Sequence, residues 1–374
     1  VTNRSLKQQF QFRSNNKGST MKATSTRVIA SAVTALALVA ASCGGSDDAV
    51  DAPADEAPVE AEAEAPAAEP AAEPAAEPIQ IGIVAPSAEN DLAWTQSMVD
   101  SVSRVADGRA VKVAISGGLF VVEDAAAAIR GYAEDGFDLV IAHGTQFGGP
   151  LQEIADDFPE VSFALGTSTD FFGKDNIYAY SVDAGEGGYV NGVMAAQLTQ
   201  SNVIGVVGPV PAGDAKLYID GFVAGAEAQD PDVAVNVNYI DSFGDVLLAS
   251  EAAKAFVESG ADVLTGTAQM VVGATGVAAE EGIPWFGTQS NQTDLGTDIV
   301  VASQVYHWEV VLNTILDQIA GGKLGGEAVV ISLSNGGLEM EFNDGYALDA
   351  DIKASGVATI AGLSDGSITV PAGE

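Results

Sequence analysis

Two histidines, His143 and His307, and one cysteine, Cys43, are the only imidazoles and thiol in the 374 residues. So small a set excludes a disulfide framework and a cysteine-based zinc site. Neither histidine has the Cys or His partners that such a metal site needs, so no metal and no cofactor are expected. His143 reads as a hydrogen-bonded structural residue. His307 is balanced between that role and ligand contact. The run Gly144 to Gly149 (GTQFGG) lacks the Lys-Ser/Thr ending of a phosphate loop. Asp214 in PAGD reads as the cap of a helix over 215–229 rather than a cation ligand. The 52 acids are too plentiful for any carboxylate pair to signal glycosidase chemistry. What remains is a set of polar, Gly-rich turns: GIVAPSAEND, IAHGTQFGG, ALGTST, VVGPVPAGD, YIDSFGD and WFGTQSNQTD. Their hydroxyls, amides and aromatic rings suit binding rather than bond-breaking.

The elements that must position these turns alternate along the chain. IQIGIVAP is a short apolar run ending in Pro, which suits a buried strand. DLAWTQSMVDSVSRVA follows with Trp94, Met98, Val102 and Val105 at helical spacing. VKVAIS, FDLVIAHG, VSFALGTS and IYAYSVD read as further strands, with helices between them and one after the last. A second set starts at NVIGVVGPV. Its strands VAVNVNYI, ADVLTG and IPWFGT alternate with helices over 215–229, 246–259 and near 270–281. IVVASQV, a helix from about 307 to 320, and AVVISLS close the pattern. Such alternation predicts α/β architecture with parallel sheets covered on both faces, in two doubly wound lobes with a cleft between them. Ligands of open α/β sheets bind beyond the carboxyl ends of the strands, where the polar turns lie. The stretch from about Gly345 is open between a sheet edge and a cap.

The first 78 residues have another character. All six bases before residue 43 stand there without an acid. Met21 is the expected start, with residues 1–20 upstream of it. Residues 21–42 read as a signal peptide with an apolar stretch from Val28 to Ala41. The sequence Ala40-Ala41-Ser42-Cys43-Gly44 resembles a bacterial lipobox, which makes Cys43 the expected lipidation site and the mature N-terminus. Residues 43–78 hold eleven acids, no base and repeated AAEP blocks, the composition of an extended, self-repelling tether. Residues 79–374 keep nine bases against 41 acids, a net charge of −32. A surface of that sign excludes nucleic acid as a partner and disfavours an anionic ligand.

The order of blocks DLAWTQS, FDLVIAHGTQFGGPLQEIADDFPEVSFAL, IGVVGPVPAGD, GFVAGAEAQDPDVAVNVNYIDSFGD and GIPWFGTQSNQTDL resembles the basic membrane protein (BMP) family. These are lipoprotein substrate-binding components of ABC importers, close to the purine-nucleoside receptor lipoproteins. The resemblance covers nearly all of residues 79–343. It implies a type I periplasmic-binding fold with a three-crossing hinge. The expected N-terminal lobe is 79–184 plus about 304–325. The expected C-terminal lobe is 185–303 plus about 326–374. In the family a nucleoside base stacks between aromatics while polar side chains hold the ribose. The family phrase DKSFNQS matches Asp91 to Ser97, with Trp94 in place of the Phe, so Asp91, Trp94 and Gln96 become candidates. SFND matches Ser242 to Asp245 and makes Phe243 the opposite stacking face. DSDQ becomes Gln289-Ser290-Asn291-Gln292, Thr167 stands where an acid is expected, and Tyr306, beside His307, stands where a Lys is expected. The exchange of two acids and a base for neutral groups points to an uncharged ligand. With Thr145 and Gln146 of the GTQ turn, these residues form the expected ligand set.

The function that these expectations compose is an exported, lipid-anchored receptor on the extracytoplasmic face of the cell membrane. It is a monomer, not an enzyme. It captures a nucleoside-like solute and passes it to ABC permease subunits after cleft closure. A receptor for a simple sugar and a ligand sensor without transport are the alternatives, ahead of an enzyme on the same fold.

Overall fold

The computed structural model describes residues 77–371. The expectations for residues 1–42, for Cys43 and for the tether up to residue 76 lie outside the described residues.

Short apolar runs form the strands. In the first lobe these are β1 (Ile79–Val84), β2 (Val111–Ser116), β3 (Leu139–His143), β4 (Ser162–Gly166) and β5 (Ile177–Val182). In the second they are β6 (Val203–Gly208), β7 (Ala234–Tyr239), β8 (Val263–Gly266), β9 (Trp285–Gln289) and β10 (Val300–Tyr306). Strands β3, β4, β8, β9 and β10 are buried at every residue, as expected of parallel strands covered on both faces. Two last strands, β11 (Glu327–Ile331) and β12 (Leu338–Phe342), complete the set.

The first sheet has the order β11-β5-β4-β3-β1-β2 and the second β12-β10-β9-β8-β6-β7. All pairings are parallel except β10 with β12. Each order reverses beside its first strand, between β1 and β3 in one sheet and between β6 and β8 in the other. That reversal is where open α/β sheets form a crevice.

Helices cover both faces of each sheet. In the first lobe, α2 (Val122–Glu134) and α3 (Gly148–Asp157) enclose one core with Ile129, Leu151 and Phe163. On the other face lie α1 (Trp94–Gly108) and α8 (Glu309–Ala320). The expected stripe Trp94, Met98, Val102 and Val105 is the buried face of α1. In the second lobe, α6 (Val246–Glu258) and α7 (Val271–Glu281) bury Phe256, Leu264 and Trp285. The opposite face receives α4 (Ala184–Leu198), α5 (Gly213–Gln229) and α9 (Ala350–Ser364).

The chain passes between the sheets three times: after β5, between β10 and α8, and between β11 and β12. The two later passages differ from the expected boundaries. Residues 304–306 belong to β10 and stay in the second sheet. β11 pairs with β5 in the first sheet, so the last crossing falls after Ile331 rather than at 325–326. Backbone pairing decides both shifts: β10 is held between β9 and β12 through Val305, and β11 adds to the edge of the first sheet beside β5; apolar patterning carries no trace of that choice. The stretch after Gly345 is a helical cap, α9, while the sheet edge is β12, just before it.

Helices α4 and α5 pack through glycines. A Cβ at Gly188 would lie 2.2 Å from the Tyr218 carbonyl oxygen, and one at Gly192 2.1 Å from that of Phe222. Only glycine permits this approach. Gly192→Ala is expected to destabilise the fold by roughly 2 kcal/mol or more, because backbone must move to admit the methyl. Gly276→Ala, at an exposed position of α7 with open space at its Cβ, is expected to be neutral or to stabilise by up to about 1 kcal/mol. Urea unfolding of both variants measures the difference.

Candidate functional site

The carboxyl ends of the two sheets face each other across a cavity that opens to solvent. The first lobe contributes Pro86 after β1, Phe120 after β2, Gly144, Thr145 and Gln146 after β3, and Thr167 after β4, together with Trp94 from the start of α1. The second contributes residues 212–215 at the start of α5, Phe243 after β7, Ala268 and Gln269 after β8, and Gln289 at the end of β9.

Trp94 is held on its inner side. Its ring stacks on His143 with centroids 4.1 Å apart and planes 4° from parallel. Its Nε1–H donates to the His143 carbonyl oxygen at 3.1 Å. His143 Nε2 lies 3.0 Å from the Trp94 carbonyl oxygen, and Nδ1 lies 2.7 Å from the Tyr180 hydroxyl. A carbonyl can only accept, so Nε2 carries the proton and Nδ1 accepts from Tyr180. Burial pulls the imidazole down to about 3, against a smaller opposing effect of the Trp94 carbonyl. The ring is therefore neutral, and its structural role agrees with the expectation for His143.

The acid of the cavity is Asp214. It does not occupy the N-cap position of α5, which belongs to Ala212. It sits in the first turn, with its carboxylate turned inward. Oδ2 accepts from Gln289 Nε2 at 3.0 Å and from the Tyr306 hydroxyl at 3.2 Å. Burial raises its pKa, while Gln289, Tyr306 and the backbone amides of Asp214 and Ala215 lower it. Gln289 Oε1 is buried without a hydrogen-bond partner. The cavity lining thus offers one carboxylate, several hydroxyl and amide groups, three aromatic rings, and no Lys or Arg.

Of the candidate ligand set, Trp94, Thr145, Gln146, Thr167, Phe243 and Gln289 line this one cavity. The other candidates lie elsewhere. Asp91 is spent on the start of α1, where its carboxylate accepts from the amides of Ala93, Thr95 and Gln96 and from the Ser87 hydroxyl. Gln96 and Asn291 border an outer groove, with Gln96 Oε1 accepting from the Leu92 amide and Asn291 Nδ2 donating to Glu341. Tyr306 stands behind Asp214 rather than at the cavity wall. His307 lies at the second crossing, beside Arg104, Glu309 and Glu339. Phe120, Gln269 and the inward carboxylate of Asp214 were missed. Phe120 follows β2 in GGLF, a turn at the same end of the sheet as those singled out, so the same rule reaches it.

Hydrogen bonds tie the lobes across the cleft: Ser290 Oγ to the Ala93 carbonyl at 2.8 Å, and Gln269 Nε2 to Ser87 Oγ at 3.2 Å. Gln292 Nε2 reaches the Leu92 carbonyl at 3.3 Å. Ala268, Gln289 and Leu92 hold positive φ values of 73°, 72° and 55°. Such values cost about 1–3 kcal/mol each outside glycine and gather where function requires them.

A family model described as "Bmp: ABC transporter substrate-binding protein PnrA-like" matches residues 79–357. The chain is 28% identical over 232 residues to a purine-binding protein of Brucella abortus, which covers 62% of this chain and 65% of the relative, just under two thirds of its length. It is 25% identical over 262 residues to the transcriptional activator protein med of Bacillus subtilis, 70% of this chain and 81% of that one. A solved structure, an ABC transporter solute-binding protein from Conexibacter woesei, matches with a TM-score of 0.66 and 25% identity over 78% of this chain and 98% of its own.

The neutral His143 makes acid stability a test of the site. Its pKa is lower folded than unfolded, so the unfolded chain takes up the extra proton, and stability falls as pH drops from about 6.5 toward 3. Between those limits the gap corresponds to roughly 5 kcal/mol. Asp214, with a raised pKa, works in the opposite sense as it protonates. His143→Gln is therefore expected to flatten the loss of unfolding free energy between pH 6.5 and 4 relative to wild type. Parallel curves for the two proteins would show that His143 is not buried neutral.

Proposed function

We propose that this chain, which belongs to the Bmp family of PnrA-like ABC transporter substrate-binding proteins, is the extracytoplasmic receptor of an importer and captures a purine nucleoside in the cleft between its lobes. One observation carries the reading. The interlobe cavity joins the aromatic rings of Trp94, Phe120 and Phe243 to a buried carboxylate and amides, without a cation. A purine offers a flat face to the rings, where stacking contributes about 1–3 kcal/mol per base. A ribose offers hydroxyl donors to Asp214 and to the free acceptor Gln289 Oε1. The purine-binding relative supports the ligand class. Ligand that touches both lobes binds the closed form more tightly and so shifts the population toward it. The permease then meets the closed form.

Anchoring through a diacylglycerol on Cys43 belongs to the same reading, with the acidic segment as the spacer between membrane and lobes. Replacement of Cys43 by Ser is expected to move the protein from the membrane fraction to the soluble one on ultracentrifugation. An unchanged membrane fraction would remove the lipid anchor from the proposal.

A second reading is ligand sensing without transport. The likeness to a protein named as a transcriptional activator favours it. The same cleft would serve, with a different recipient of the closed form.

Thermal unfolding against adenosine, guanosine, inosine, free bases and simple sugars tests the ligand. A compound that binds only the native state raises the midpoint with RT ln(1 + [L]/Kd). A rise with purine nucleosides is expected. Phe243→Ala, at a half-exposed position, should weaken it by roughly 10–100-fold in Kd, the equivalent of about 1–3 kcal/mol. A rise with a sugar and none with any nucleoside would replace the ligand and keep the receptor.

A further inference from the structure

The second crossing between the lobes, where β10 gives way to α8, carries a cluster that the cleft does not use. His307 is the first residue past β10. Its Nδ1 lies 2.9 Å from Glu309 Oε1, and Arg104 holds that carboxylate with Nε and Nη2 at 2.8 and 2.9 Å. In the neutral ring Glu309 accepts the proton on Nδ1, which leaves the lone pair on Nε2. Nε2 is screened from solvent and has no hydrogen-bond partner. Glu339 Oε2 nevertheless lies 3.2 Å away, out of line for a hydrogen bond. That spacing is an ion pair if the ring takes up a second proton, and it is the spacing of two ligands on one cation if Nε2 keeps its lone pair.

A third ligand comes from the same strand. Glu339 and Glu341 stand two residues apart on β12, so they share a face. Strand β12 pairs antiparallel with β10, Glu339 opposite Val305 and Glu341 opposite Ser303. That register sets both carboxylates beside His307. One ligand atom from each of the three side chains lies within 4.8 Å of the other two. Asn291 Nδ2 steadies Glu341 at 2.5 Å. A zinc ion takes imidazole nitrogen at about 2.0–2.1 Å and carboxylate oxygen at about 2.0–2.2 Å, so adjacent ligand atoms fall roughly 3.0–3.4 Å apart, as Nε2 and Oε2 do. Glu339, 63% exposed, is free to adjust. Two carboxylates and a neutral imidazole balance a divalent charge. The Glu309 carboxylate behind the imidazole is the usual outer support of a metal-bound histidine.

We propose that His307, Glu339 and Glu341 form a binding site for a first-row divalent cation such as Zn²⁺, at the crossing between the lobes. One nitrogen and two oxygen donors suit such an ion better than Mg²⁺ or Ca²⁺, which prefer oxygen throughout. Its ligands come from the crossing itself and from the edge strand of the second lobe, so the ion would brace the hinge rather than touch the solute.

The experiment is isothermal titration of the metal-stripped protein with ZnCl₂ at pH 7.5, in 0.15 M NaCl with millimolar MgCl₂ to occupy weak sites on the acidic surface. The expected result is one tight equivalent of Zn²⁺ that Mg²⁺ does not displace. His307→Gln and Glu339→Gln should each weaken it at least tenfold. Glu280→Gln, an exposed acid on α7, should leave it unchanged. With Co²⁺ in place of Zn²⁺, the visible absorption of the wild-type complex should be lost or shifted in His307→Gln. Melting of the metal-free variants confirms that they are folded. Equal Zn²⁺ affinity in wild type and His307→Gln, or no binding above the Glu280→Gln background, would overturn the site. The same holds if protons alone govern the contact between His307 and Glu339.

Discussion

The cleft rests on the burial of one neutral imidazole. His143 ends β3 and Trp94 begins α1, and the two residues satisfy each other's polar groups. The indole N–H goes to one backbone carbonyl and the imidazole N–H to the other. Tyr180, from β5, donates to the remaining ring nitrogen. Trp308, at the start of α8, meets Trp94, His143, Tyr180 and Tyr306 edge-on. Its indole N–H and its amide go to the hydroxyls of Ser97 and Ser101 on α1. A charged imidazole in this place would lack a counter-ion and would force the stack apart. The floor of the cavity, the start of α1 and the crossing into α8 therefore depend on one protonation state.

Above that floor, the second lobe supplies backbone under strain. Gln289 and Ala268 end or follow strands with positive φ, and each turns toward the cavity. The turn at Gln289 brings its amide to Asp214, while Ser290 and Gln292 reach across to the loop before α1. One short segment thus joins the ligand wall to the contacts between lobes. Gln269 both lines the cavity and bonds across the cleft, and Ser290 and Gln292 follow Gln289 directly, so contacts to a ligand and contacts between the lobes share one stretch of backbone.

Most of the architecture was legible because its causes are local. Buried parallel strands leave apolar runs, α1 leaves Trp94, Met98, Val102 and Val105 at helical spacing, and the polar turns between them mark the carboxyl ends. Strand β12 was not legible. LEMEF alternates acids with apolar residues but pairs antiparallel at an edge, and pairing partners leave no trace in composition. The same gap displaced the lobe boundaries. In the site, Trp94, Phe243 and Gln289 follow from their place in the turns. Asp91 and Asp214 exchanged roles: each stands near a helix start, and the side chain of one turns back to the amides while the other turns inward. Rotamer and tertiary partners decide that difference, and an aspartate at a helix start reads alike in both cases. Asn291 follows the wall residue Gln289 by two positions, and His307 follows β10 directly, but each lies past a strand end where the chain has already turned away.

The charge balance bears on what the cavity can select. The chain is strongly acidic, and the cavity wall adds a buried carboxylate with no base near it to offset an anion. A unit negative charge about 5 Å from Asp214, at an effective dielectric constant near 20, is repelled by roughly 3 kcal/mol, or about 200-fold in affinity. A phosphate would meet that repulsion more than once and would also lose its hydration. Sugar hydroxyls and ring nitrogens meet neither cost, since a carboxylate and an amide oxygen can accept their protons. Burial raises the Asp214 pKa, the Gln289 and Tyr306 donors act against that rise, and a ligand hydroxyl would add a further donor to the carboxylate. The wall therefore holds one carboxylate among neutral amides and hydroxyls, a setting that favours uncharged hydrogen-bond donors over anions.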